Sequence, residues 1–157
     1  MRRSARTEPV PGKTARECAL SLLEYRDRTT QEMRRKLAER GYEPDQIEEA
    51  VGFLTDYRYL DDAEYARRYI RSAAARKSIR QLRQELSERG VDREILDVCL
   101  EEAELDEEAV IRAFLNKKGY ETGVPSDPET RRKLTASLGR RGFSFDAIRR
   151  VMEEAQE

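Results

Sequence analysis

A chain of 157 residues in which 38% are hydrophobic and 40% charged is poorly suited to one thick core and better suited to a stack of small units. Its formal net charge of −1 leaves no bulk attraction to nucleic acid. The chain has no histidine, so the commonest general acid–base group and the commonest metal ligand are both missing.

Residues 1–13 (MRRSARTEPVPGK) read as a basic, flexible tail. No signal-peptide core follows its arginines, and no later run is apolar enough to cross a bilayer. A cytoplasmic protein without membrane contact is therefore expected. Thr14 and Glu17 are spaced as an N-cap and its N3 partner, and they open a first helix with Cys18 and Leu22-Leu23 as inward positions. Thr29 and Glu32 open a second, which carries Met33 and Leu37 and closes at Arg40-Gly41. Pro44 suits the first turn of a third helix, where its missing N–H costs nothing; Ile47 and Val51 lie on its inner face.

Tyr57, Tyr59 and Leu60 then lead into Asp61-Asp62. The spacing of Asp61 and Glu64 predicts another helix cap, with the aromatics packing the boundary between units. Two adjacent aspartates without further ligands make a weak metal site, and no metal or other cofactor is expected. On the following helix Tyr65, Ala66, Tyr69, Ile70 and Ala73 share one side, while Arg67 and Arg71 point away with Arg68 beside them. The next helix is expected to bury Ile79, Leu82 and Leu86, leaving Lys77, Arg80 and Gln84 outside, and to close at Arg89-Gly90.

The third Arg-Gly pair, Arg141-Gly142, completes an internal repeat of about 50 residues, longer than common two-helix arrays. Aligned on the glycines, apolar residues fill five columns: Met33/Leu82/Leu134, Leu37/Leu86/Leu138, Tyr42/Val91/Phe143, Ile47/Leu96/Ile148 and Val51/Leu100/Met152. The first helices align on Leu22-Leu23, Tyr69-Ile70 and Ala113-Phe114. The pattern predicts an all-α protein of three tandem three-helix, helix-turn-helix-like repeats, at 14–60, 61–103 and 104–157, stacked into an elongated, curved array. The last repeat carries an insertion at 117–127 and has Pro128 at a first-turn position.

Charge is uneven along this repeat. Between Tyr65 and Gln84 stand seven basic residues and no acidic one: Arg67, Arg68, Arg71, Arg76, Lys77, Arg80 and Arg83. Such a stretch is either a solvated face or a binding surface for an acidic protein groove or a phosphate backbone. The predominance of arginine favours bidentate carboxylate or phosphate contacts. Aromatics are sparse here, which counts against a base-stacking platform. Cys18 and Cys99 fall at apolar helix positions and read as reduced core residues. Glycine-rich phosphate loops and paired CxxC thiols are missing, so no enzyme is expected. A DNA-binding helical protein and a helical protein-interaction scaffold are the alternative readings.

The run Tyr59-Leu60-Asp61-Asp62-Ala63-Glu64-Tyr65-Ala66-Arg67, followed by Arg76-Lys77, Leu82, Glu85-Leu86 and Arg89-Gly90, resembles the signature of the RecX family. The likeness extends over roughly residues 14–157. Ser78 departs from it, since members often carry glycine shortly after the basic pair, and the local turn is in question there. The resemblance implies a non-enzymatic, cytoplasmic modulator of recombination, DNA repair and the SOS response. Such a protein binds RecA–DNA filaments and suppresses ATP hydrolysis, strand exchange and filament growth. The implied partner is thus the RecA recombinase filament, with weak or indirect contact to single- or double-stranded DNA, and the protein itself is expected to be a monomer.

Overall fold

The computed structural model describes residues 12–154. Among them nine α-helices and no strand occur: α1 (Ala15–Tyr25), α2 (Thr30–Glu39), α3 (Pro44–Asp56), α4 (Asp62–Ala73), α5 (Ile79–Glu88), α6 (Arg93–Glu102), α7 (Glu107–Lys117), α8 (Pro128–Arg140) and α9 (Phe145–Met152). They form three successive triplets, the tandem three-helix repeat expected from the glycine alignment. Most of the sequence proposed as a basic tail, residues 1–11, lies outside the described residues. Its last member, Lys13, accepts a hydrogen bond from the Tyr42 hydroxyl at its carbonyl (2.9 Å), and its ammonium donates to Ser21 Oγ (3.2 Å).

The helix starts follow from short polar side chains that satisfy free amides. Thr14 with Glu17 and Thr29 with Glu32 form reciprocal capping boxes, and Asp61 accepts from the Glu64 amide at 3.1 Å. Ser78 fills the same role for α5, accepting from the Gln81 amide at 3.1 Å. The departure from the family pattern at this position is therefore a helix cap. Pro44 and Pro128 each stand at the start of their helix.

The glycines explain why the five columns exist. Gly41, Gly90 and Gly142 have φ of 88°, 94° and 97°, the left-handed region that L side chains avoid. In each turn the next residue's amide returns to the leucine four before the glycine: Tyr42 to Leu37, Val91 to Leu86 and Phe143 to Leu138, at 3.1–3.2 Å. This is a Schellman closure with its usual apolar contact, and both ends of each contact are buried. The column of leucines is wholly enclosed, and Ile47, Leu96, Ile148, Val51, Leu100 and Met152 are buried as well. Leu134 is only partly buried against the third repeat's core.

Two expectations fail here. The first-helix alignment is wrong in the third repeat: Ala113 is exposed and Phe114 half-buried, while Ile111 and Leu115 are enclosed. The enclosed i, i+4 pairs are Cys18 and Leu22 in the first repeat, Ala66 and Ile70 in the second, and Ile111 and Leu115 in the third. Tyr57 and Tyr59 do not pack a boundary, being 66% and 57% exposed; Leu60, at 2%, does the packing. The chain escapes inward at that point because Arg58 takes a left-handed φ of 59° and Leu60 returns its amide to the Leu54 carbonyl (3.1 Å).

The chain divides into two compact units, one running up to Ala66 and including Leu86–Leu96, the other comprising Arg67–Glu85 and Asp97 onward. The first unit has its core in α1–α3, with Ala19, Met33, Leu37, Ala50 and Leu54 completely enclosed. The second has a core of Ile111, Leu115, Leu138, Ile148 and Val151, to which Tyr120, from the inserted segment, also contributes.

Inside each unit the same latch joins one repeat to the next. In the first, the buried Thr29 hydroxyl donates to the Arg89 carbonyl (2.6 Å), and Asp62 accepts from the Thr30 amide and hydroxyl (2.8 and 3.0 Å). In the second, the buried Ser78 hydroxyl donates to the Arg141 carbonyl, and Glu107 accepts from the Ile79 amide (2.7 Å). Both Arg-Gly turns press against the start of a helix. A Cβ at Gly90 would come within 2.7 Å of three Gln31 side-chain atoms, and one at Gly142 within 2.8 Å of Ser78 Oγ. The terminal repeats lack the matching groups, since Ala15 stands where Asp62 and Glu107 begin their helices. At the other end Pro128, without an N–H, stands where Thr30 and Ile79 begin theirs.

Candidate partner-binding surface

The seven basic residues between Tyr65 and Gln84 divide by what the fold does with them. Arg67 is half-buried on the flank of α4 facing α6, where its Nε donates to Glu102 (3.2 Å). With Ile70, Arg71, Cys99 and Leu105 it lines a shallow cleft of about 460 Å³, and Arg71 remains exposed at its edge. The helical-wheel prediction that both residues point away from the packed side is corrected by α6, which covers the flank holding Arg67. Arg83 pairs with Asp97 at 2.6 Å, and Arg68 is exposed.

Lys77 is likewise not outside. It is half-buried, its ammonium 2.6 Å from Glu85 and 3.1 Å from the Tyr69 hydroxyl, which itself donates to Glu85. These hydrogen bonds, Glu85 first and Tyr69 second, hold the Lys77 ammonium above its ordinary pKa. Burial alone would push the Glu85 carboxyl up, but the bonds from Lys77 and Tyr69 outweigh it and leave the group below the usual carboxylate range. Tyr69 and Tyr65 are half-buried rather than inward, and each ends in a polar partner; the Tyr65 hydroxyl accepts from Arg89 at 2.7 Å. Ile79, expected in the core, is half-buried at the first position of α5.

Arg76 and Arg80 differ from these: both are exposed and make no ion pair among the described residues. Arg76 and Lys77 line a groove with Lys117 and Arg141, two cations from the third repeat. The sequence offers only a faint signal for those two, the adjacent pairs Lys117-Lys118 and Arg140-Arg141, which lie far from Arg76 along the chain.

The signature junction resolves into structural roles. Asp61 caps α4, Asp62 holds Thr30, Leu60 and Ala66 are buried, and Tyr59 is exposed. The described residues include no group of three or more potential metal ligands, and no helix long and apolar enough to cross a membrane. Cys18 and Cys99 form no disulfide among the described residues, and each is 2% exposed.

Comparisons with known proteins agree along the chain. Family models described as the first, second and third three-helix domains of RecX match residues 15–54, 61–100 and 106–152. A regulatory protein RecX from Halorhodospira halophila is 34% identical over 146 residues, covering 92% of this chain and 90% of that protein. The one from Vibrio campbellii is 34% identical over 140 residues, covering 88% and 90%. The crystal structure of RecX from Lactobacillus salivarius superposes with a TM-score of 0.75 at 24% identity, covering 88% of this chain and 92% of that one.

Proposed function

The chain belongs to the RecX family of regulatory proteins, and from that membership we propose that it regulates the RecA recombinase by binding RecA–DNA filaments. It acts in the cytoplasm, as a monomer and without catalysis, restraining ATP hydrolysis, strand exchange and filament growth. Recombination, DNA repair and the SOS response are modulated in consequence. The observation that carries this reading is the family match over all three repeats, together with a basic, exposed surface on the second. Arg68, Arg71, Arg76 and Arg80 are exposed on that surface. Arg67, Lys77 and Arg83 flank them, and their own carboxylate partners set their positions.

Electrostatic docking on an acidic protein surface would hold the protein across neighbouring filament subunits and block their motion. DNA contact is secondary, because the chain is nearly neutral overall and the aromatics within the basic stretch, Tyr65 and Tyr69, are half-buried. Co-sedimentation with RecA filaments before and after nuclease treatment tests the reading. Capture of RecA that survives nuclease supports direct protein recognition. Capture lost with the DNA favours the nucleic-acid reading instead.

A further inference from the structure

Within the second unit, the turn after α4, the exposed side of α7 and the turn between α8 and α9 enclose a groove of about 590 Å³. Four cations line it, Arg76, Lys77, Lys117 and Arg141, and no carboxylate does. Lys77 is already neutralised by Glu85, but Arg76, Lys117 and Arg141 have no carboxylate partner among the described residues. Other basic side chains of this unit are matched, Arg67 to Glu102, Arg83 to Asp97, Arg112 to Glu154 and Arg150 to Glu108. Three adjacent, unmatched cations repel one another and gain most from an anionic ligand.

The groove floor is apolar, made by Val110, Ala113, Phe114 and Phe143. Its aromatics are not arranged for bases. The Arg141 guanidinium stands 4.6 Å from the centre of the Phe114 ring, the Lys118 ammonium lies 5.7 Å from it, and Phe143 is 4% exposed. A nucleobase would have to compete with these cations for the Phe114 ring, and base–aromatic stacking carries much of single-strand affinity. An aliphatic or aromatic side chain inserted edge-on, with carboxylates on either side, matches both the floor and the rim.

We propose that this groove is a docking site for an acidic protein segment bearing an apolar anchor residue. The proposal rests on the reading above, in which the partner is a protein filament, and places the principal contact at the junction of repeats two and three.

Fluorescence anisotropy with the full chain and no RecA present separates the two claims. The probe is a fluorescein-labelled peptide of glutamates flanking a central Leu-Phe pair; a peptide of equal charge with Ala-Ala at the centre and a 20-nucleotide oligo-dT serve as comparisons. Saturable binding of the Leu-Phe peptide is expected, weakening as salt rises. Arg76→Glu, which sits on an exposed turn, and Ala113→Glu, which places a carboxylate on an exposed face of α7, should each weaken it about tenfold or more. Because neither position is buried, at least one variant will retain the wild-type helical signal. Equal binding by folded variants, no saturable binding, or tighter binding of oligo-dT that the same substitutions abolish would overturn the proposal. Those results leave filament binding to be judged on its own assay, and loss of filament binding with peptide binding intact would count against the filament reading alone.

Discussion

Replacing Gly142 by alanine should destabilise the protein far more than the same change at Gly119, although both glycines are left-handed, with φ of 97° and 74°. An L residue in that region costs about 1–2 kcal/mol, and the stiffer unfolded chain returns about 0.4–1 kcal/mol of it. At Gly119 nothing lies within 4 Å of an added Cβ, so the net loss stays at about 0–1.6 kcal/mol. At Gly142 the new methyl would meet Ser78 Oγ at 2.8 Å and Arg80 Cβ at 3.1 Å. Moving the Ser78 hydroxyl sacrifices its bond to the Arg141 carbonyl and its cap on the Gln81 amide. Each contributes about 0.5–1.5 kcal/mol, giving a further loss of roughly 1–3 kcal/mol at Gly142 alone. Urea denaturation followed by helical circular dichroism measures both variants. A double-mutant cycle with Ser78→Ala should show strong coupling to Gly142→Ala and none to Gly119→Ala. Equal losses at the two glycines, or additivity with Ser78→Ala, would refute the latch.

Arg58, an ordinary residue held at φ 59°, should tolerate glycine well, and Arg58→Gly is expected to stabilise the fold by about 0.5–1 kcal/mol in the same urea assay. Cys18→Ala and Cys99→Ala should each cost about 1 kcal/mol or more of stability while leaving filament binding intact, because both thiols are core residues; a folded double variant that no longer binds RecA would contradict this. The Lys77–Glu85 pair sets a pH window. Glu85 has a lowered folded pKa, so its stabilisation is present above the ordinary carboxylate value and is lost as pH falls through the folded one. Lys77 has a raised pKa, so its share is present at neutral pH and lost as pH rises through the folded value. Glu85→Gln should therefore lower Tm at neutral pH and flatten its fall in acid, which a Tm series from about pH 3 to 7 checks.

The repeat was legible because each apolar column does a job that only a few residue types can do. Leu-to-glycine spacing followed by an apolar residue is the Schellman closure itself, so Leu37-Gly41-Tyr42 and its two copies announced both the helix ends and the core. Where the reading failed, the cause was tertiary. Ala113-Phe114 satisfied hydropathy, but the i, i+4 pair Ile111 and Leu115 defines the enclosed face of α7. On a helical wheel Arg67 lies only about 60° from Ile70, on the flank rather than the far side, and α6 supplies Glu102 there, a neighbour that no wheel contains. The role of Asp62 was hidden because its partner, the Thr30 amide, lies 32 residues away. The groove stayed hidden for the same reason, since Arg76 and Arg141 come together only through the packing of two repeats.

ATP hydrolysis by RecA on single-stranded DNA reports whether this protein regulates RecA. Adding the wild-type protein should depress the steady-state rate, and Arg76→Glu with Arg80→Glu should require several-fold more protein for the same effect. Both arginines are exposed and make no ion pair among the described residues, so the helical signal should not change. As a control, Arg132→Glu, an exposed position on α8, should leave inhibition near the wild-type level. An ATPase rate unmoved by the wild-type protein at concentrations matching RecA would contradict the account.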